Sequence, residues 1–363
     1  MTIDNKYMKI ALRLARKAQG LTHPNPAVGA VIVKGKKIVG KGYHKKCGLP
    51  HAEINALRQA GRLARGATMY VTLEPCDHYG RTPPCTDAII KSGTRNVVIA
   101  MKDPNPVTNG RGIRKLNKNG IATKVGVLKE AAVRINRPFI KSVTEKIPYV
   151  TVKVAESIDG KIAAKTGDSK WISAEDSRRY VHELRAKVDA VMVGANTAVM
   201  DDPLLLSRIK NAKQPIRIVV DSQLRMPLSA RLFSTINKSP VIVATGKGVS
   251  LRRAALYEAK GAKVIFISVK GGMLDLKELL KALLEMGVIE VLVEGGGELV
   301  ASLVERRLVD RFLFFIAPKI IGGRDAVTAV EGSGIDSIKE AVALKNVSIK
   351  KFKKDILIEA EAL

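Results

Sequence analysis

Apolar positions along this chain recur with two spacings, and the switches between them mark out alternating helices and strands. Over residues 5–19, Met8, Leu12, Ala15 and Ala18 share one face, the spacing of an amphipathic helix. Leu21-Thr22-His23-Pro24-Asn25-Pro26 ends it, because the prolines force an extended path. AVGAVIV (27–33) and KIVGKGY (37–43) read as strands paired about Lys34-Gly35-Lys36. Residues 51–60 return to helical spacing until Gly61 stops them. ATMYVTL (67–73) is a strand running into Glu74-Pro75-Cys76. Pro83-Pro84 opens a helix that ends at Gly93. NVVIAM (96–101) is a strand, followed by a loop from Asp103 to Gly110, a helix near 110–119 and a strand near 121–127.

A seam around Lys146-Ile147-Pro148 separates a second alternation, which predicts two domains, 1–146 and 147–363. Strands are expected at 149–157, 189–194, 216–221, 240–245, 262–268, 288–294 and 311–318, with one final strand near 346–360. Helices are expected at 175–187, 250–260, 275–286 and 298–306. Strands alternating with helices predict α/β layers around mostly parallel sheets, with sites at the carboxyl ends of strands.

At 46% hydrophobic residues the chain has material for buried cores, and no apolar run is long enough to span a membrane. The N-terminus lacks the apolar segment of a signal peptide, so a cytoplasmic protein is expected. Three cysteines are too few for a disulfide framework. Sixty-two Lys and Arg against 34 Asp and Glu give a net charge of +28, which asks for an anionic partner. The charge is spread over both halves and aromatics are 4%, so a phosphorylated small molecule is preferred to nucleic acid.

The candidate chemistry sits in His51-Ala52-Glu53 and in Pro75-Cys76 with Cys85. One imidazole and two thiolates are three protein ligands for zinc, with the fourth position left for water. Two ligands fall at helix starts, where the helix dipole favours thiolate. Glu53, two residues from His51, need not share its face and is free to move protons. A non-ligand Glu in H-x-E, with a downstream Pro-Cys, is the pattern of zinc deaminases, although here eight residues separate the cysteines instead of two. His44, His78 or Cys47 could instead complete a structural zinc site; otherwise Cys47 reads as a buried spectator. In the second half, Glu294-Gly295-Gly296-Gly297 between a strand and a helix offers backbone amides to a phosphate. No G-x-G-x-x-G is present, which disfavours a standard dinucleotide domain. Trp171, the one tryptophan, reads on its own as a core residue.

NPAVGAVIV (25–33), HAE (51–53) and EPCDHYGRTPPC (74–85) resemble the bacterial bifunctional riboflavin-biosynthesis deaminase–reductases. KVAESIDGKIA (153–163), SKWIS (169–173), HELRAKVDAVMVGANTAVMDDPLL (182–205) and VEGGGEL (293–299) extend the resemblance over nearly the whole chain. Asp77 departs from it, standing where a small polar residue is expected. The resemblance implies a cytidine-deaminase-like three-layer α/β/α domain followed by a dihydrofolate-reductase-like α/β domain. It implies one Zn2+ per chain on His51, Cys76 and Cys85, with Glu53 catalytic and Asn25, His44, Arg81, Asp103 and Asn105 holding a phosphorylated diaminopyrimidine. It also implies NADPH along Ala155, Trp171, Thr197, Asp201, Ser222 and Gly295, Gly296 and Gly297. The phosphosugar would meet Ser169, Arg185, Leu205, Arg208 and Glu294, with Lys153 and Asp201 catalytic. A homo-oligomer, dimer or tetramer, is expected. Two rival readings remain at this stage, a nucleic-acid base deaminase and a basic binding protein with structural zinc.

Overall fold

The computed structural model describes residues 2–80, 83–106 and 108–363. It divides into two compact units, Met1–Lys146 and Ile147–Leu363. The first carries α1 (Ile3–Arg16), β1 (Gly29–Lys34), β2 (Lys37–Tyr43), α2 (Ala52–Ala60), β3 (Thr68–Val71), α3 (Cys85–Ser92), β4 (Asn96–Ile99), α4 (Arg111–Lys118), β5 (Ala122–Val125) and α5 (Lys129–Thr144). Its sheet runs β2-β1-β3-β4-β5. The β1 strand is antiparallel to both neighbours, whereas β3, β4 and β5 are parallel, so this sheet is mixed.

The pleat explains the three layers. Gly29 pairs with Tyr43, so Gly42 points to the opposite face from Gly29. A Cβ on Gly29 would lie 2.1 Å from the Ala11 carbonyl oxygen of α1, and one on Gly42 would lie 2.2 Å from the Ala52 carbonyl oxygen of α2. Helices thus press on both faces where the sheet lacks side chains. The seat of α2 on β2 also sets the position of His51, the residue that starts this helix.

Helix α5 went unanticipated. Pro138 interrupts its pattern, and the backbone kinks at Asn136 (φ −110°, ψ 16°). The Asn136 side chain accepts from the Ala27 amide (2.8 Å) and donates to its carbonyl (3.1 Å), so a tertiary pair offsets what the kink removes.

The second unit carries β6 (Tyr149–Ser157), α6 (Glu175–Arg185), β7 (Ala190–Gly194), α7 (Ala195–Met200), β8 (Ile216–Val220), β9 (Val241–Gly246), α8 (Leu251–Ala259), β10 (Lys263–Ile267), the short pair β11 (Val269–Lys270) and β12 (Met273–Leu274), α9 (Leu276–Glu285), β13 (Glu290–Val293), α10 (Gly297–Glu305), β14 (Arg311–Ala317), β15 (Leu344–Phe352) and β16 (Asp355–Ala362). Its large sheet runs β10-β9-β8-β7-β13-β6-β14-β16-β15. It is parallel from β10 to β14 and antiparallel at the last two pairings. The single strand expected over 346–360 is a hairpin, because Phe352 pairs with Asp355 across Lys353-Lys354 and Lys353 takes a positive φ of 48°. The parallel strands β7 and β13 are buried on both faces, which is why AVMV and VLV read as continuous apolar runs, whereas β6 interrupts its valines with Thr151 and Lys153. Among the described residues no helix is long and apolar enough to cross a membrane.

Candidate active site

In the first unit His51 stands at the N-cap of α2, Cys85 opens α3, and Cys76 lies beyond the carboxyl end of β3. Their donor atoms all fall within 4.8 Å of one another. Nδ1 of His51 is 3.6 Å from Cys76 Sγ and 3.3 Å from Cys85 Sγ. Zn–S of about 2.3 Å and Zn–N of about 2.0 Å at a tetrahedral angle put nitrogen and sulfur about 3.5 Å apart, so both edges from His51 have the length a zinc ion needs. The Cys85 thiol hydrogen-bonds to Cys76, which draws Cys76 down to about 4 and pushes Cys85 well above the usual thiol range. The Cys85 backbone amide, at the start of α3, donates to Cys76 Sγ at 3.3 Å and adds to the preference for thiolate. The hydrogen bond with Cys76 raises His51.

Glu53 is 4% exposed and lies outside this ligand set. Burial raises its carboxyl to about 7, with the Cys76 thiolate adding to the rise, and Cys85 hydrogen-bonds to it. A carboxyl poised near neutrality beside a metal site can both accept and return a proton. Asn25 donates to Nε2 of His44 (3.2 Å), and His44 Nδ1 donates to the Pro50 carbonyl (3.4 Å). Burial lowers His44, which favours this neutral form. The His44 ring meets His51 edge-on at 5.1 Å, so Asn25, His44 and His51 form one contiguous wall.

His78, between the cysteines, reaches a residue beyond β4. His78 Nδ1 is 3.5 Å from Thr108 Oγ1. Asp103 is 7% exposed, and its carboxylate accepts from the Asn105 amide at 2.9 Å. Burial raises Asp103 to about 6. Arg81 lies outside the described residues. Asp77, the unexpected acid, is neutralised by Lys115 at 2.7 Å and accepts from the Thr86 hydroxyl at 2.9 Å, while Lys115 also reaches Asp87 at 2.7 Å. Cys47 is half-buried, not a buried spectator, since it lies in a loop whose Lys45, Lys46, Gly48 and Leu49 are exposed.

In the second unit one cleft of about 2280 Å³ is lined by Lys153, Ala155, Ser169, Trp171, Arg185, Thr197, Asp201, Leu205, Arg208, Ser222, Glu294, Gly295, Gly296 and Gly297. Arg185 grips Glu294 through Nε (2.6 Å) and Nη2 (2.9 Å), and its Nη1 donates to the Leu206 carbonyl at 3.0 Å. Lys153 Nζ stands 3.8 Å from Glu294. Burial alone would raise Glu294, but the Arg185 charge and hydrogen bonds outweigh it and hold the carboxyl at about 2. Burial lowers Lys153, with Glu294 opposing. Ser169 donates to Asp201 at 2.9 Å. The Gly296 amide, at the N-cap of α10, is taken by Thr197 Oγ1 at 3.0 Å, so this amide serves a side chain and not an open anion cradle. Trp171 is 60% exposed with Arg178 stacked 4.5 Å over its ring, a wall of the cleft and not a core residue.

Three participants were invisible in the sequence: Arg178, Lys115 and Glu74. Among the described residues Glu74 accepts hydrogen bonds only from distant backbone amides, which no local pattern encodes. The seven-residue step from Trp171 to Arg178 was the one available hint, since Arg178 lies on the first turn of α6.

Residues 1–101 match the cytidine and deoxycytidylate deaminase zinc-binding region, and residues 148–358 match the RibD C-terminal domain. Riboflavin biosynthesis protein RibD of Aquifex aeolicus is 47% identical over 357 residues, covering 98% of each chain, and that of Escherichia coli K12 is 37% identical with 98% of each covered. The structure of Acinetobacter baumannii RibD superposes with a TM-score of 0.89 at 35% identity over 99% of both chains. That of the Thermotoga maritima diaminohydroxyphosphoribosylaminopyrimidine deaminase/5-amino-6-(5-phosphoribosylamino)uracil reductase gives 0.86 at 36%, again over 99% of both. A cytidine-deaminase-like unit is thus followed by a reductase unit of the dihydrofolate-reductase-like α/β type. With nearly its whole length matched at such identities, the chain belongs to the RibD family of riboflavin-biosynthesis proteins.

Proposed function

We propose that Met1–Lys146 removes the 2-amino group of 2,5-diamino-6-(5-phosphoribosylamino)pyrimidin-4-one, and that Ile147–Leu363 then reduces the ribosyl chain to ribityl with NADPH. The observation that carries this reading is the zinc-sized triangle of His51, Cys76 and Cys85 with buried Glu53 beside it. Zinc held there supplies a Lewis acid that brings water to reactivity near neutral pH. Glu53 takes a proton from the attacking water and returns it to the amino group, so that water adds to the ring carbon, its bond to nitrogen breaks and ammonia leaves. The ring keeps a carbonyl oxygen. Asn25, His44, Asp103 and Asn105 hold the pyrimidine. Arg81 belongs with them by its place in the motif.

In the second unit NADPH supplies the hydride, and the residues fix where it lands. Lys153 hands a proton to the sugar-ring oxygen as its bond to the anomeric carbon breaks. Arg185 keeps Glu294 ionised. Glu294 in turn holds Lys153 beside the substrate, while Asp201 is braced by Ser169. Ala155, Trp171, Thr197, Ser222 and the Gly295–Gly297 turn border the cofactor, and Leu205 and Arg208 the phosphosugar. Because Arg185 is committed to Glu294, Arg208 is the freer cation for the phosphate. The edge strand β15 exposes Val347 (59%) and Ile349 (69%), which supports assembly of copies into a dimer or tetramer.

The test is to feed the diaminopyrimidine phosphosugar to zinc-loaded protein with and without NADPH. Ammonia release without NADPH, and nucleotide oxidation only once deaminated product exists, is expected. NADPH oxidation with no ammonia, or ammonia only from a tRNA or oligonucleotide, would refute the reading.

A further inference from the structure

We infer that Glu74 is a positioning residue of the deaminase, holding the Asp103–Asn105 substrate loop and the start of α4 against the metal-ligand segment. The inference rests on the function proposed above.

Glu74 is 3% exposed and lies two residues before the ligand Cys76. Its carboxylate has no cationic partner among the described residues, and three backbone amides converge on it instead. Oε2 accepts from Asp103 at 3.2 Å and Gly110 at 2.9 Å, and Oε1 accepts from Ile113 at 3.2 Å. Its own amide donates to the Met101 carbonyl at 3.0 Å. One buried acid thus joins the end of β4, the substrate loop and the first turn of α4. Gly110, the N-cap of α4, has no side chain with which to cap the helix. Glu74 supplies the missing acceptor from elsewhere in the chain, and its negative charge suits the positive helix end.

The approach is close by construction. A Cβ on Gly112 would lie 2.0 Å from the Pro75 carbonyl oxygen and 3.4 Å from Glu74 Oε1. Helix α4 therefore rests on the backbone between Glu74 and Cys76. Asp103 and Asn105 sit in the loop that this contact closes, and the Asn105 amide in turn depends on the Asp103 carboxylate. Cys76 and the substrate-holding Asp103 and Asn105 are far apart in sequence yet share one short support.

A glutamine at 74 can keep at most one oxygen in place. Its NH2 must face either the Ile113 amide or the Asp103 and Gly110 amides, donor against donor. The test uses the full zinc-loaded chain carrying Glu74→Gln, with Gly112→Ala as an independent way of lifting α4 from Pro75. In both variants the KM for ammonia release should rise about tenfold or more while kcat falls less, the pattern of lost substrate holding. Zinc should stay at one per chain, and NADPH oxidation on the deaminated substrate should be unchanged. In Glu74→Gln, hydrogen exchange at the Gly110 or Ile113 amide should quicken about tenfold or more as a charge-assisted bond is lost. Unchanged KM, or a loss of activity that merely follows a loss of zinc, overturns the role of Glu74 alone. A wild-type protein that releases no ammonia from the phosphosugar overturns the functional reading, and this role with it.

Discussion

Arg185→Met offers the sharpest test of how the reductase unit holds its buried charges. Glu294 keeps a carboxyl value of about 2 against an ordinary 4.5, although burial pushes it the other way. That gap corresponds to about 3 kcal/mol in favour of the ionised form. The same order follows from the cost of stripping one partner from a buried pair, about 3–5 kcal/mol. Methionine preserves much of the side-chain volume and removes both bonds to Glu294. The sign follows from the depressed value. The stabilisation is fully present above the unfolded value of 4.5 and fades as pH falls towards 2. At pH 7 the variant should lose about 3 kcal/mol, a drop of about 1 M in urea midpoint for a unit of this size. Trp171 is the only tryptophan and lies in this unit, so its fluorescence reports unfolding of the reductase half without interference from the other. The difference from wild type should shrink between pH 5 and pH 3. A loss under about 1 kcal/mol at pH 7 would show that the pair contributes no more than a surface ion pair. A loss that does not fade with acid would show that Arg185 acts through packing instead of charge.

Glu53→Ala should cut ammonia release by about a hundredfold or more, the usual scale for a general acid/base. It should leave one zinc per chain by metal analysis and NADPH oxidation on deaminated substrate intact; loss of zinc would make Glu53 a ligand. Stripping zinc with a chelator should stop ammonia release and spare the reductase step, and restored zinc should bring the first activity back; a chelated protein that still deaminates would refute the metal assignment. Asp77→Ser should change deaminase kcat/KM by less than about threefold, because Lys115 already neutralises Asp77. A larger drop in a steady-state ammonia assay would place Asp77 in contact with substrate.

Where the sequence was legible, the information was local. The helix from Ile3, the five strands of the first sheet, β6 to β10, β13 and β14 of the second, and the starts of α2 and α3 follow from spacing, glycine and proline. Where it was not, either a distant partner decided or the local signal was too short or atypical to read. Helix α5 carries an internal proline that spoils its pattern, and Asn136 bonded to Ala27 makes the kink tolerable. The short helix α7 offers too few residues for a period to show. The β15–β16 hairpin turns at two lysines instead of the usual glycine or asparagine. Trp171 looked like core because tryptophan usually is, yet it is exposed with a guanidinium over its ring.

The sequence by itself determined the donor chemistry: one imidazole, two thiols and a spare carboxylate, with the eight-residue interval between the cysteines that marks this family. Tertiary structure alone decided how those groups are tuned and held. Donor atoms 3.3 and 3.6 Å apart make a metal site from residues as many as 34 positions apart. Burial, which no residue type declares, brings Glu53 to about 7, while Arg185 takes Glu294 to about 2. Both are glutamates, and nothing in the residue type tells them apart. Their opposite behaviour arises because the energy of a charge depends on the water it has lost and on the charges that replace it, and folding sets both.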